Sequence, residues 1–162
     1  MTTVPNKTDG DILNASELFK YIGSTLTQGS ANLNTIGTTE TELVELNISG
    51  NDAYSAVIIM ANVIGNAVNN DGSPKACNFK LRTGTSDTAT SNTERQALDF
   101  SLGVKNGDAS ATPTYGGGAF MYVITSSDET LTNDWKVHVT VVSDGNAGSG
   151  TGYCESIIAI GV

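Results

Sequence analysis

Acid–base, nucleophilic or metal chemistry needs histidines, cysteines or paired carboxylates at workable spacings, and this chain is poor in them. It holds one histidine, His138. Period-two alternation puts Lys136, His138 and Thr140 on the outward face of a predicted strand, so His138 reads as a surface residue. No second histidine exists to form a metal pair, and no serine or cysteine stands at a recognised catalytic spacing. A catalytic triad is defined by geometry, so the sequence alone leaves that test open. Two carboxylates flanking a bond can hydrolyse a glycoside. The candidates here are Asp87, Glu94, Asp99, Asp128, Glu129, Asp134, Asp144 and Glu155. Most lie beside turn residues, where an aspartate stabilises the local backbone. Asp99 and Glu155 fall on predicted strands and point outward.

Other constellations read in the same way. The Asp/Asn/Gly loops at 69–73 and 143–150 offer carboxylate and carbonyl oxygens to calcium, but turn chemistry explains them at this length. Tyr115-Gly-Gly-Gly118 lacks the lysine and the strand-to-helix setting of a phosphate loop. Tyr54, Tyr115, Tyr122 and Tyr153 are the aromatics that could stack on a sugar. Tyr115, in a glycine-rich loop, is the best candidate ligand contact, and packing is the expected fate of the others. Cys77 and Cys154 permit one bridge, worth at most about 4–5 kcal/mol, but two buried thiols are the favoured reading. No cofactor and no metal site is expected.

The whole chain narrows the function classes. It has 162 residues, enough for one domain with a real core. Seventeen acidic residues against 8 basic ones give a net charge of −9. Phosphate backbones are bound by clustered Lys and Arg, so nucleic acid is not an expected partner. Charged residues make up 15% and hydrophobic ones 38%, the balance being filled by Gly, Ser, Thr and Asn. That composition suits short strands and tight turns. Residues 1–7 lack the apolar core of a signal peptide, and the longest apolar run, 56–64, is too short and β-branched to span a bilayer. Synthesis in a cytoplasm, with no membrane partner, is the expectation.

The elements divide at residue 37. Residues 1–37 read as an arm and connector, and residues 38–162 as a β-domain. In the arm, Asn14 caps a short helix and Glu17 completes a capping box. Ile12 or Leu13 supplies the staple. Leu18, Phe19 and Ile22 form an apolar stripe, and Gly23 stops the helix. A helix of two to three turns is not stable alone, so it must pack on its own domain, a symmetry mate or another protein. Ile12, Leu13, Leu18, Phe19 and Ile22 are therefore the candidate assembly contacts. One short strand is expected in the connector, around Leu33–Ile36.

From residue 42 the period is two. Inward faces are predicted at Val44, Leu46 and Ile48; at Cys77, Phe79 and Leu81; at Leu98, Phe100 and Leu102; and at Trp135, Val137, Val139 and Val141. Over 153–162, Cys154, Ser156, Ile158 and Ile160 share one side, with Ile157 and Ala159 on the other. Residues 54–64 and 120–125 are apolar on both faces. The first should be a central strand covered on both sides, and both segments can supply a subunit interface as well as a core. Seven strands, or eight with the connector, separated by turns rather than helices, predict an all-β antiparallel β-sandwich. It is jelly-roll-like, with a short N-terminal helical arm.

Residues 6–18, Asn-Lys-Thr-Asp-Gly-Asp-Ile-Leu-Asn-Ala-Ser-Glu-Leu, carry a resemblance. They resemble the opening of tailed-phage virion proteins, where the pattern N-x-x-x-G-D-x-L-x-A-x-E-x-N leads into a short helix near the attachment end. Gly10, Asp11, Leu13, Ala15 and Glu17 match, and Phe19 stands where Asn is common. The body looks like head-decoration, fibre or spike domains. The resemblance implies a non-enzymatic virion structural protein, displayed on the particle, anchored by its arm and assembling as a symmetric oligomer, as a homotrimer in many such domains. Its partners would be copies of itself and other virion proteins of capsid or tail. A carbohydrate- or receptor-binding module, contacting a host-surface glycan through Tyr115, is the alternative. A small β-sandwich hydrolase is the least supported reading.

Overall fold

The computed structural model describes residues 29–33, 36–67, 75–102, 114–143 and 151–162. The period-two runs form eight strands: β1 (Gly29–Leu33), β2 (Thr41–Ile48), β3 (Ala56–Ala67), β4 (Lys75–Gly84), β5 (Thr93–Leu102), β6 (Thr114–Thr125), β7 (Trp135–Ser143) and β8 (Thr151–Gly161). They build two four-stranded sheets, β1-β8-β3-β6 and β2-β7-β4-β5. All pairings are antiparallel, and they nest: β4 with β5, β3 with β6, β2 with β7 and β1 with β8. The β3–β8 and β4–β7 pairings then join the nested hairpins into sheets. A long antiparallel hairpin rolled onto itself in this way is a jelly roll. The connector's strand is the eighth member. It forms at Gly29–Leu33, slightly before its expected place, and lines the edge of the first sheet beside β8. The predicted helix with Ile12, Leu13, Leu18, Phe19 and Ile22 lies outside the described residues. So do the loops at 68–74 and 144–150.

The core fills the space between the sheets. Val44, Leu46 and Ile48, then Cys77, Phe79 and Leu81, then Trp135, Val137, Val139 and Val141 are buried as predicted. From the other sheet they meet Val57, Ile59 and Val63 of β3, Phe120 and Ile124 of β6, and Ile157 of β8. The Phe79 and Phe100 rings meet edge to face, with centroids 5.9 Å apart. Phe100 also explains a glycine. A Cβ on Gly118 would stand 2.7 Å from the end of the Phe100 ring, so β6 admits no side chain there. The Tyr115–Gly118 run, expected as a loop, is therefore strand: Tyr115 pairs with Asn66 and Gly118 with Val63.

Three further expectations need correction. Along β8 the period slips by one: Asn62 pairs with Ser156 but Val63 with Cys154, leaving Glu155 as a bulge. Cys154, Ile157 and Ala159 thus point inward, while Ser156, Ile158 and Ile160 share the outer face. Second, β3 is central, yet among the described residues it is covered on its inner side only. Ile58, Met60 and Ile64 on its outer side stay half-buried. Third, His138 and Thr140 are not surface residues, for both are fully buried. The two cysteines lie in different sheets, Cys77 on β4 and Cys154 on β8, and both are buried. Burial pushes the Cys154 thiol up to about 11.

Candidate functional site

The outer faces of the two sheets differ in kind. The outer face of β2-β7-β4-β5 is charged, with most of its cations paired to carboxylates. Glu40, just before β2, takes a two-pronged grip from Arg82 of β4, with Nε at 2.6 Å from Oε1 and an Nη at 2.9 Å from Oε2. The Thr140 hydroxyl donates to the same carboxylate at 2.6 Å. Burial pushes the Glu40 pKa up, but the Arg82 and Thr140 hydrogen bonds and the Arg82 and Lys80 charges outweigh it, and the net direction is down. Lys80 bridges to Glu94 of β5 at 3.0 Å, which raises its pKa. Cations of the middle strand thus alternate with anions on either side.

His138 sits at the centre of this face. The segment between β4 and β5 folds over it and removes it from solvent. Asn92 clamps that segment: its side-chain amide donates to the Ser86 carbonyl at 2.8 Å, and its side-chain oxygen accepts from the Ser86 N–H at 3.1 Å. His138 Nε2 faces the same Ser86 carbonyl at 3.2 Å. Nδ1 faces Glu42 Oε2 at 2.8 Å and Glu45 Oε2 at 4.0 Å. In a regular strand residues 42 and 45 would point to opposite faces. The bulge between Glu42 and Val44 adds one residue, so Glu42 pairs with Thr140 and Glu45 with His138 on one face. Lys136 closes the cluster, 2.6 Å from Glu45 and 2.7 Å from Asp87. The Asp87 and Glu45 hydrogen bonds raise its pKa, and Lys136 in turn lowers that of Asp87.

A second polar knot ties the sheet to the β6–β7 connection. Arg95 of β5 donates to Thr83 Oγ1 at 2.7 Å, to Glu129 Oε1 at 2.8 Å and to the Asp128 carbonyl at 2.5 Å. Asp128 accepts from the Thr125 N–H, the largest cause of its lowered pKa, and Arg95 adds to the effect. The remaining carboxylate candidates are scattered. Asp134 accepts from the Gly50 N–H, Asp99 accepts from Asn78, and Glu155 is exposed on the β8 bulge. Asp144 lies outside the described residues.

The outer face of β1-β8-β3-β6 is apolar around Ile58 and Met60, next to an exposed pair in which the Asn62 amide donates to Ser156 Oγ at 3.0 Å. The register sets Ile58 between Val123 and Ile160, and Met60 between Met121 and Ile158. These side chains form a continuous patch across three strands. Met121 is 70% exposed and Val123 48%. The sequence signal for this patch is the double-faced apolar run in β3 and β6. The Ile158 and Ile160 contribution is visible only once the β8 bulge is known. Of the tyrosines, Tyr54 and Tyr122 pack against the core, and Tyr153 is half-buried on the outer face beside Ile64. Tyr115 is placed by its backbone in β6, opposite Asn66.

No family model and no curated protein matches the chain. Solved structures do. A chain from infectious bursal disease virus, Gx strain, is 14% identical with a TM-score of 0.44, over 84% of this chain and 30% of that one. A chain of the VP2 subviral particle of the same virus is 11% identical with a TM-score of 0.44, over 85% and 33%. A chain of desmodium yellow mottle tymovirus is 12% identical with a TM-score of 0.26, over 96% and 95%. The chain spans about a third of the length of the bursal disease virus chains it matches.

Proposed function

We propose that this chain is a virion structural protein that assembles through the outer face of the β1-β8-β3-β6 sheet. The observation that carries the reading is the contrast between the two outer faces. One pairs its cations with carboxylates, while the other leaves Met60, Met121, Val123, Ile158 and Ile160 side by side without cover among the described residues. Exposed apolar patches larger than a few hundred Å² mark interaction surfaces, and we read this smaller one as part of such a surface. Three strands at about 4.8 Å spacing give a patch on the order of 200 Å². That is well short of the roughly 800 Å² each partner buries in a standard interface. The patch therefore serves as the apolar centre of a wider contact, the place where binding energy concentrates.

The resemblance of residues 6–18 supports the finer reading. The arm anchors the protein to the capsid or tail, the jelly roll is displayed on the particle, and closed symmetry, a homotrimer in our reading, multiplies the single contacts. Light scattering on the full chain tests the assembly. The expected result is a defined oligomer that Met121→Lys and Val123→Glu convert to a folded monomer. A wild-type monomer at micromolar concentration overturns the proposal. Removing residues 1–23 tests the anchor separately, and attachment to particles retained after that deletion overturns it.

A further inference from the structure

The surroundings of His138 require a positive centre on one side of its ring. A backbone carbonyl only accepts hydrogen bonds, so the contact between Nε2 and the Ser86 carbonyl at 3.2 Å fixes the proton on Nε2. Nδ1 of that tautomer carries a lone pair. Yet Nδ1 is aimed at Glu42 Oε2, 2.8 Å away, with Glu45 Oε2 at 4.0 Å, and both are acceptors. A lone pair of a fully buried ring facing carboxylates at this distance needs a cation between them. That cation is a proton on Nδ1 or a metal ion.

We propose that His138 Nδ1, Glu42 Oε2 and Glu45 Oε2 bind a divalent metal ion of the zinc class. The three ligand atoms all lie within 4.8 Å of one another. Tetrahedral zinc with bonds of about 2.0–2.1 Å places its ligands roughly 3.3 Å apart. The observed 2.8 and 4.0 Å bracket that value, so small rotations of two half-exposed carboxylates close the site.

The surroundings have the parts such a site needs. A metal-binding histidine characteristically donates its other ring N–H to a carbonyl or carboxylate, which holds the tautomer and aims the ring. Ser86 does this here, itself held by Asn92. Lys136 engages Glu45 through Oε1, leaving Oε2 for the ion. A surface cleft of about 310 Å³, lined by Glu40, Glu42, Asp87 and Thr88, lies on the Glu42 side of the cluster. One imidazole and two carboxylates is a mixed nitrogen–oxygen set that suits Zn²⁺ better than Ca²⁺ or Mg²⁺, which prefer all-oxygen shells. The bound ion would fasten β2 to β7.

The test is calorimetric titration of the chelator-treated full chain with ZnCl₂. The expected result is one equivalent bound, with affinity falling at least tenfold in both His138→Gln and Glu45→Gln. Glu45 is partly exposed, so its variant keeps the test valid if the buried histidine variant fails to fold. The single histidine makes its ring nitrogens unambiguous by ¹⁵N NMR. Zn²⁺ should move the Nδ1 resonance and leave Nε2 protonated. A ring that stays doubly protonated in excess Zn²⁺ overturns the proposal and assigns the contact to a simple ion pair. Saturable binding that survives both substitutions also overturns it, by locating the ion elsewhere.

Discussion

The ring of Tyr54 closes over Gly161 so tightly that a Cβ on the glycine would stand 2.3 Å from Tyr54 Cε1. The contact seals one edge of the core, where β8 ends and the segment leading into β3 returns. Gly161→Ala should therefore destabilise the fold by about 1–3 kcal/mol, the usual cost of overpacking. Urea unfolding checks this, and a Gly161→Ala/Tyr54→Ala double mutant should recover part of the loss. If the two single losses simply add, the clash is not the cause.

Arg95 is the hub of the knot beneath the β6–β7 connection. Replacing it with alanine leaves the largely buried Glu129 with only the Thr83 hydroxyl as donor and removes a partner from Thr83. Breaking hydrogen bonds to a charged group in that setting should cost about 1.5–3 kcal/mol. The urea midpoint should fall with an unchanged slope, since the surface exposed on unfolding is the same.

Asp128 makes the fold sensitive to acid. Its pKa is lowered, first by the Thr125 N–H and then by Arg95. A carboxylate held below its unfolded value of about 3.8 contributes stability above that value and loses it as pH falls through the folded pKa. Stability should therefore drop below about pH 4, and Asp128→Asn should flatten part of that drop. A variant whose acid profile overlays the wild type removes Asp128 from the account.

Cys154 has the opposite sign and acts at high pH. Burial raises its thiol to about 11, whereas an unfolded thiol ionises near 9. Its contribution is complete below the unfolded value and is lost as pH rises through 11, because the unfolded chain releases its proton first. Labelling by a disulfide reagent at pH 8 should be slow for Cys77 and Cys154 alike, and fast in urea. Rapid native labelling of both would contradict the buried positions.

Much of the sandwich was legible in residue order because burial on one face imposes a period of two. The inward sets of β2, β4 and β7 follow from alternation alone. Alternation fails where a bulge inserts a residue, and bulges carry no local signature here. The one at Glu155 shifts Ile158 and Ile160 to the outer face. The one after Glu42 brings two glutamates to a single histidine. His138 was misread for a different reason. Its position on the outer face was correct, but its burial depends on a remote segment that only the fold delivers. The glycine run after Tyr115 misled because its cause, the Phe100 ring above Gly118, sits on another sheet.

The nested pairing carries a consequence for the order of folding. β8 lies in the middle of its sheet, between β1 and β3, yet residues 151–161 follow every other strand in the chain. Among the described residues β1 pairs with β8 alone, so during synthesis it waits for β8, whereas the β4–β5 hairpin can close early. Contacts between distant residues slow folding, and here the slowest join is the one that completes the apolar face. Four of the six patch side chains stand on β3 and β6 and two, Ile158 and Ile160, on β8, so the finished apolar surface exists only after β8 has joined the sheet.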